Sequence, residues 1–563
     1  MQILAQIKKE LENYRNSHIE VCEGYNYSQA KLVRRILLYK NCIYPKGKLD
    51  SQGNYKFWFD VISPRRDAEI KNIDFDTKDI ELYSDATEDV GRLMIANASL
   101  KKFLKDTGQA AKLNEAIERG TEWGNTVWKK IKDGYKLMDL SNFIVLNQIA
   151  ETLEDSDVIE KEIMYSTDLR KKIGIWENVE ELIKSGKPEL HQTSPTFYIY
   201  ERNGEISEKD YLELKGKQGG KEDKYILCKV IVGGNKNDEP TQVLFYDQID
   251  KKPYKEYHRG TYSNRWMRVG MYEILFDIQT RANEIGNQIA RGLEWSSKTV
   301  FRSSDRIIAQ NILTDLQNGD IIKSTDLQQV NTRMDGLDQL IADWNRLMQI
   351  ADKLANSSEV VMGESAPSGT PFRLQSMNNL NANKLFDFIR EKIAIVFQDV
   401  IEDWILPELL NDLKSKDVLK LTDDIGILTK YYQMIIDEWY INNLLAFPPH
   451  SPEEAQLLKD EKMQELLKNK EVIITLEKEM WKGFKPRVII SITGENYALV
   501  TELETLKTFI QLENSPARRT ALIELAMMKK GIDISKLPKT PPVQVQPAQG
   551  GMGNQQPLTT QQS

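Results

Sequence analysis

Apolar residues recur at alternating steps of four and three from Met271 to Gly292, through Leu275, Ile278, Ala282, Ile285 and Ile289. In a helix of 3.6 residues per turn this spacing gathers them along one narrow stripe, so the pattern predicts a long helix with a single apolar edge. The opposite positions, Thr280, Glu284, Asn287, Arg291 and Glu294, are polar and predict a solvated face. A second stripe with the same alternating steps runs through Leu337, Leu340, Trp344, Leu347, Ala351 and Leu354. The linker between them, residues 298–335, is far longer than the roughly two to eight residues that join a helical hairpin. It predicts a small α/β insert, with TVFRS and DIIKS as short strands and RIIAQNILTDLQ as a helix ending at Asn318-Gly319. After the second stripe, SSEVVMGESAPSGTPFRLQSM breaks the helical pattern with two glycines and two prolines. LNANKLFDFIREKIAIVFQDVIEDWILPELL, residues 380–410, then predicts another long helix, apolar through Leu385, Phe388, Ile389, Val396 and Val400, with Pro407 near its end.

Residues 1–262 mix both periods. Helical spacing covers 1–21 and 28–42 and resumes in ATEDVGRLMIANASLKKFL, whereas YKFWFDVIS at 55–63 reads as a buried strand ended by Pro64. From 193 to 260 the runs TFYIYER, KYILCKVIVGG and QVLFYDQI predict an antiparallel sheet, with KGKQGGKEDK at 215–224 as a hairpin tip. Towards the other end, SPEE at 451–454 has the form of a helix start, and VIISITGEN predicts a strand near 486–493 followed by helices. Residues 537–563 carry little to bury and predict disorder. The fold class expected is α+β, mostly helical.

The chain has 563 residues, 28% charged and 40% hydrophobic, which suits several soluble cores. It contains no apolar run long enough to span a membrane, and its charged start is unlike a secretory signal, so synthesis in the cytosol is expected. The net charge of −8 argues against a tight nucleic-acid binder but suits a wall past which DNA slides. Cys22, Cys42 and Cys228 lie far apart, form no CxxC pair and are expected to be small buried residues. His18, His191, His258 and His450 form no local motif, and phosphate-loop, dinucleotide, HExxH and GxSxG signatures are absent. No cofactor or resident metal is expected. One acidic cluster, IDFDTKDIEL, places Asp74 and Asp76 on the same side of a predicted strand. They are candidate magnesium ligands for phosphodiester cleavage, or simply the solvated face of a strand whose Ile73, Phe75 and Thr77 point inward. Likewise, YKFWFDVISPRR offers aromatic and basic groups for base stacking, but alternating Phe57, Phe59 and Val61 favour core packing.

The succession of α+β region, long helix, insert with NGDIIKS, second long helix, SSEVVMGESAPSGTPF loop, third long helix and VIISITGEN strand resembles the portal protein of tailed double-stranded DNA bacteriophages. The resemblance covers about 263–530 in order of elements, and FWFDVISPRRDAEIKNIDFDTKDIEL more weakly. It implies a non-enzymatic, dodecameric ring at one capsid vertex, through which DNA is packaged, retained and ejected. The implied assignment is a wing over 1–262, a stem helix over 263–297, a clip over 298–335 and a second stem helix over 336–356. A tunnel loop would cover 357–373, a long wing helix 374–425, wing and crown helices 426–536, and the tail 537–563. Val360, Val361, Met362, Gly363, Glu364, Ser368 and Gly369 would then face the passing DNA. Arg281 and Arg291 would be channel-lining candidates, and Arg302, Arg306, Asn318, Asp320 and Lys323 clip contacts. Implied partners are double-stranded DNA, the major capsid protein, the large terminase subunit and head-tail adaptors, with the virion as the final location and no membrane.

Read from the residues alone, alternatives stay open. The loop also fits a surface connector, exposed arginines also keep a helix soluble, and heptad-like stripes also build bundles or coiled-coil dimers. A metal-dependent nucleic-acid-processing enzyme using Asp74 and Asp76, and a helical virion adaptor or scaffold, are the rival functions.

Overall fold

The computed structural model describes residues 2–50, 53–73, 80–84, 90–132, 134–186, 195–297, 300–302, 328–330, 336–356, 372–415, 418–420, 457–461, 473–475 and 483–490. The chain divides into two compact units, Met1–Ile492 and Thr493–Ser563, and every element named below belongs to the first.

Helix α1 (Gln2–Asn16) buries Ile3, Ile7 and Leu11, each four residues from the next. A hairpin of β1 (Ile19–Cys22) and β2 (Tyr25–Tyr27) leads into α2 (Gln29–Lys40), where the Ser28 hydroxyl accepts from the Lys31 amide and caps the helix. The strand expected over 55–63 does not occur. Residues 55–61 are extended, with one isolated bridge from Tyr55 to Leu49, and α3 (Ile62–Ile73) already begins before Pro64. Proline in a first helical turn has no amide bond to forfeit and a suitable φ, so Pro64 starts a helix rather than ending a strand. Asp60 accepts from the Ile62 and Ser63 amides at 3.2 and 3.1 Å.

Ile73 therefore closes a helix, while the strand expected over 73–82 is β3 (Ile80–Tyr83). Next come α4 (Val90–Asp106) and α5 (Gln109–Trp123). Helix α5 stops at Gly124, φ 81°, where a Cβ would stand 2.4 Å from the Arg268 carbonyl oxygen. Only glycine permits both that angle and that approach.

The β-rich region follows as β4 (Asn125–Ile131), β5 (Gly134–Leu137), β6 (Phe143–Val145) and β7 (Val158–Tyr165), then α6 (Ser166–Arg170) and α7 (Val179–Ser185). It continues through β8 (Thr196–Ser207), α8 (Glu208–Leu214), β9 (Tyr225–Gly234), β10 (Gln242–Gln248) and β11 (Tyr254–His258). All pairings are antiparallel: a five-stranded sheet in the order β10-β9-β8-β7-β6, and a three-stranded sheet β11-β4-β5. The side-chain period of two divides β8 between two cores. Tyr200 packs with Ile3 and Ile7 of α1, and Phe197 and Ile199 pack with Leu169 and Leu182 of α6 and α7.

The C-terminal half of this unit holds α9 (Met271–Ser296), β12 (Val300–Arg302), β13 (Gln328–Val330) and α10 (Leu337–Leu354). After them come α11 (Phe372–Val400), a π-helical turn (Ile401–Ile405), α12 (Leu406–Ser415), β14 (Val418–Lys420), β15 (Ile473–Thr475) and β16 (Arg487–Ile490). Strands β14 and β15 pair with each other, and β16 pairs with β3. The helix expected over 380–410 thus starts earlier, at Phe372, and reaches Ser415 through the π turn. A proline cannot donate to the carbonyl four residues back and crowds it, and the looser turn just before Pro407 relieves both conflicts. Phe386, Ile393 and Phe397 of α11 join Leu100, Ile117, Trp128, Leu82 and Val488 in one core, each such side chain worth roughly 1.5–3 kcal/mol.

Three expectations about exposure need correction. Cys22 and Cys42 are exposed and only Cys228 is buried; none is paired. Phe57 is exposed, whereas Val61 is buried. Finally, α9 is not buried along one narrow stripe: besides Met271, Leu275, Ala282, Ile285 and Gly292, it buries Tyr272, Phe276, Gln279, Asn283, Gly286 and Asn287.

Candidate functional site

The broad burial of α9 has a specific cause. Gln279, Asn283 and Asn287 stand four residues apart on one face and clamp the extended segment before α3. Their side-chain oxygens accept from the Val61, Phe59 and Phe57 amides at 2.9, 2.9 and 2.8 Å. In return Gln279 Nε2 donates to the Phe59 carbonyl at 2.5 Å and Asn287 Nδ2 to the Phe57 carbonyl at 2.9 Å. The match is geometric: two residues of extended chain advance about 6.6 Å and four of helix about 6 Å, so alternate amides meet successive helical turns. The segment gains a ladder of partners without joining a sheet. The Phe59 ring lies over Gly286, where a Cβ would come within 2.4 Å of it, and meets Trp344 of α10 edge-on at 5.4 Å.

The same segment orders α9 and α10. From Phe57 to Val61 it passes Asn287 and then Gln279 on α9, while Phe59 contacts Trp344 and Arg65 contacts Met348 and Asp352 on α10. The two helices are therefore antiparallel. Arg65 is buried, donates to the Val61 and Met348 carbonyls at 2.7 and 3.1 Å, and lies 2.5 Å from Asp352. On α10 the narrow stripe does hold: Leu347 and Ala351 are buried and Leu340 and Trp344 are half-buried. Leu354, expected in that stripe, is exposed, and so are Ile341 and Ile350. At the far end of α9, Leu293 and Trp295 are likewise exposed.

Beyond α9, β12 and β13 pair antiparallel, Val300 opposite Val330. TVFRS thus supplies a strand, but its partner is Gln328–Val330, which the sequence pattern did not single out. Arg302 donates to Gln328 Oε1 at 3.0 Å through Nε and at 2.5 Å through Nη2. Arg306, Asn318, Asp320, Lys323 and the DIIKS segment lie outside the described residues, as do Val360, Val361, Met362, Gly363, Glu364, Ser368 and Gly369 of the glycine-containing loop. Arg281 is exposed and lies 3.3 Å from both Glu284 and Asp343, linking α9 to α10. Arg291 pairs with Asp50. Together α9 and α10 carry seven acidic against four basic residues.

A second polar cluster joins the two sheets. Glu160 and Glu201 face each other across β7 and β8, and the buried Lys129 of β4 lies 2.6 and 2.7 Å from them. Lys229 reaches Glu201 at 2.9 Å, and the Tyr254 hydroxyl donates to Glu160 at 2.5 Å. Burial alone would raise the Glu201 carboxyl, but Lys129 and Lys229 outweigh it and hold the pKa down to about 2. Burial, together with the two glutamates, pushes Tyr254 well up, so it stays a donor. Every charge here is matched, and the cluster serves to hold the sheets together.

Asp74 and Asp76 lie outside the described residues. Among the described residues no group of three or more His, Cys, Asp or Glu could hold a metal ion, and no helix is long and apolar enough to cross a membrane. His258 accepts from Asn125 Nδ2 at 2.9 Å and sits 3.0 Å from Glu256, a structural placement beside Trp266. The fold and surfaces define a helix-rich α+β protein that presents an antiparallel helix pair ending in a two-stranded insert base. No family model matches the chain, and no curated protein matches it.

Proposed function

We propose that the protein is a ring-forming conduit for double-stranded DNA of the phage portal kind, in which α9 and α10 form the stem and the β12–β13 insert the clip. The observation that carries this reading is the helix pair itself. Helix α10 buries one stripe against its own chain and leaves Ile341 and Ile350 exposed on its other faces. Exposed apolar residues repeated along a helix ask for a cover, and in a closed ring identical neighbours supply it. The excess of acidic residues on α9 and α10 suits a wall that does not hold phosphates. Arg281, tied to Glu284 and Asp343, adds little net attraction to such a wall.

In this reading the ring sits in the virion, passes DNA, and contacts the major capsid protein, the large terminase subunit and head-tail adaptors. The test is the mass of the purified full chain by native mass spectrometry, with electron-microscope class averages. The expected species is a closed ring near twelve times the 65.0 kDa chain mass. A monomer or dimer at every protein and salt concentration would overturn the reading.

A further inference from the structure

A cavity of about 440 Å3 lies between α9 and the stretch containing Tyr39, Tyr44 and Trp58. Trp58 meets Tyr39 and Tyr44 edge-on, with ring centroids 5.5 and 5.2 Å apart, so the lining includes a continuous aromatic surface. Asn283, 5% exposed, contributes its amide from the buried side. Its Oδ1 is occupied by the Phe59 amide and Gln279 Nε2, whereas its Nδ2 has no acceptor among the described residues. The Trp58 indole nitrogen is also buried without a hydrogen-bond partner.

The charges on the lining are unequal. Arg291 is paired with Asp50, and Glu284 with Arg281. Lys46 is exposed with no carboxylate partner among the described residues, and Lys56 reaches only the Gly47 carbonyl and the Tyr44 ring. Two ammonium groups are thus left without a carboxylate beside an aromatic wall and an unused amide donor.

We propose that this cavity binds a small planar aromatic anion, the chemical class to which mononucleotides belong. The ring would lie against Trp58 with its edge towards Tyr44, an acceptor on it would accept a hydrogen bond from Asn283 Nδ2, and the anionic group would sit between Lys46 and Lys56. The volume falls within the usual range for small-ligand sites, roughly 300–1,000 Å3. Two lysines match one phosphate; a polymer would need many more cations than a chain of net charge −8 offers here. The proposal does not depend on ring formation.

The experiment is calorimetric titration of the full-length protein with adenosine 5′-monophosphate, with adenosine and inorganic phosphate as separate titrants. The nucleotide should bind saturably, once per chain, with Kd below about 1 mM. Adenosine should bind about tenfold more weakly and phosphate alone not at all, since the ring and the anion act together. Trp58→Leu and the double variant Lys46→Glu, Lys56→Glu should each weaken the nucleotide about tenfold or more. Trp58 packs on two tyrosines, so if Trp58→Leu unfolds, the lysine variant decides, its fold checked by circular dichroism. No binding at millimolar nucleotide, phosphate binding as tight as the nucleotide, or undiminished binding in the lysine variant would each overturn the proposal. Loss of binding in assembled protein with retention in monomer would show a neighbouring copy as the occupant, and would overturn it too.

Discussion

At the scale of single residues, buried ion pairs join segments distant in the chain. Arg202 of β8 is almost completely buried and forks onto Glu10 of α1 at 2.9 and 3.1 Å while reaching Asp157 at 2.6 Å. Removing it leaves two carboxylates facing each other in a partly dry site, so Arg202→Met should lower unfolding free energy by about 3 kcal/mol in a urea titration. Glu201 gives a pH signature. Its folded-state pKa, about 2, lies below its ordinary value, so its stabilisation is complete above the unfolded pKa and is lost as pH falls through the folded one. Stability should therefore decline from about pH 4.5 down to about pH 2. Glu201→Gln should reduce that slope, and an unchanged acid limb in pH-resolved thermal melts would contradict it.

Among the elements, the clamp of residues 57–61 on α9 governs how helices α3, α9 and α10 meet. Gly286→Ala places a Cβ within 2.4 Å of the Phe59 ring, which must move away from Trp344, at a cost of about 1–3 kcal/mol. Asn283→Ala leaves the Phe59 amide without its acceptor and should cost about 1–3 kcal/mol, with faster hydrogen exchange at Phe59 than at Val61. These effects also explain what could be read in advance. The β8, β9 and β10 runs and the two long helices follow from strong local periods, and the structure has them where the pattern put them. YKFWFDVIS has the period of a strand too, but period two reports only an extended chain and is silent on what bonds its backbone. The signal that was missed lay on α9, where Gln279, Asn283 and Asn287 repeat every fourth residue; Asn287 looked like solvated surface because side-chain amides are polar. Nor could local pattern reveal that β3 pairs with β16, since that contact joins Ile80 to Ile490 across the length of the unit. The expected loop and most of the insert fall outside the described residues, so α9, α10, β12 and β13 carry the whole comparison there.

For the whole molecule, the question is what covers α10. Leu347 and Ala351 share a core with α9, yet Ile341 and Ile350, nine residues apart, are 42% and 38% exposed. Nine residues of helix are two and a half turns, so these positions point to opposite sides rather than to one. A dimer would cover one side and leave the other, whereas a ring gives every helix two neighbours and covers both. If the proposed ring forms, Ile341→Glu and Ile350→Glu should each block assembly beyond small open oligomers, because a glutamate buried against a neighbouring copy would lack a partner there. Since both side chains are substantially exposed in the single chain, each variant should keep the parent's monomer stability within about 0.5 kcal/mol. The discriminating measurement is native mass spectrometry of the two variants against the parent. Disruption by only one of them would mean a single-sided contact, and the antiparallel pair would then belong to a dimer or an adaptor instead of a closed ring.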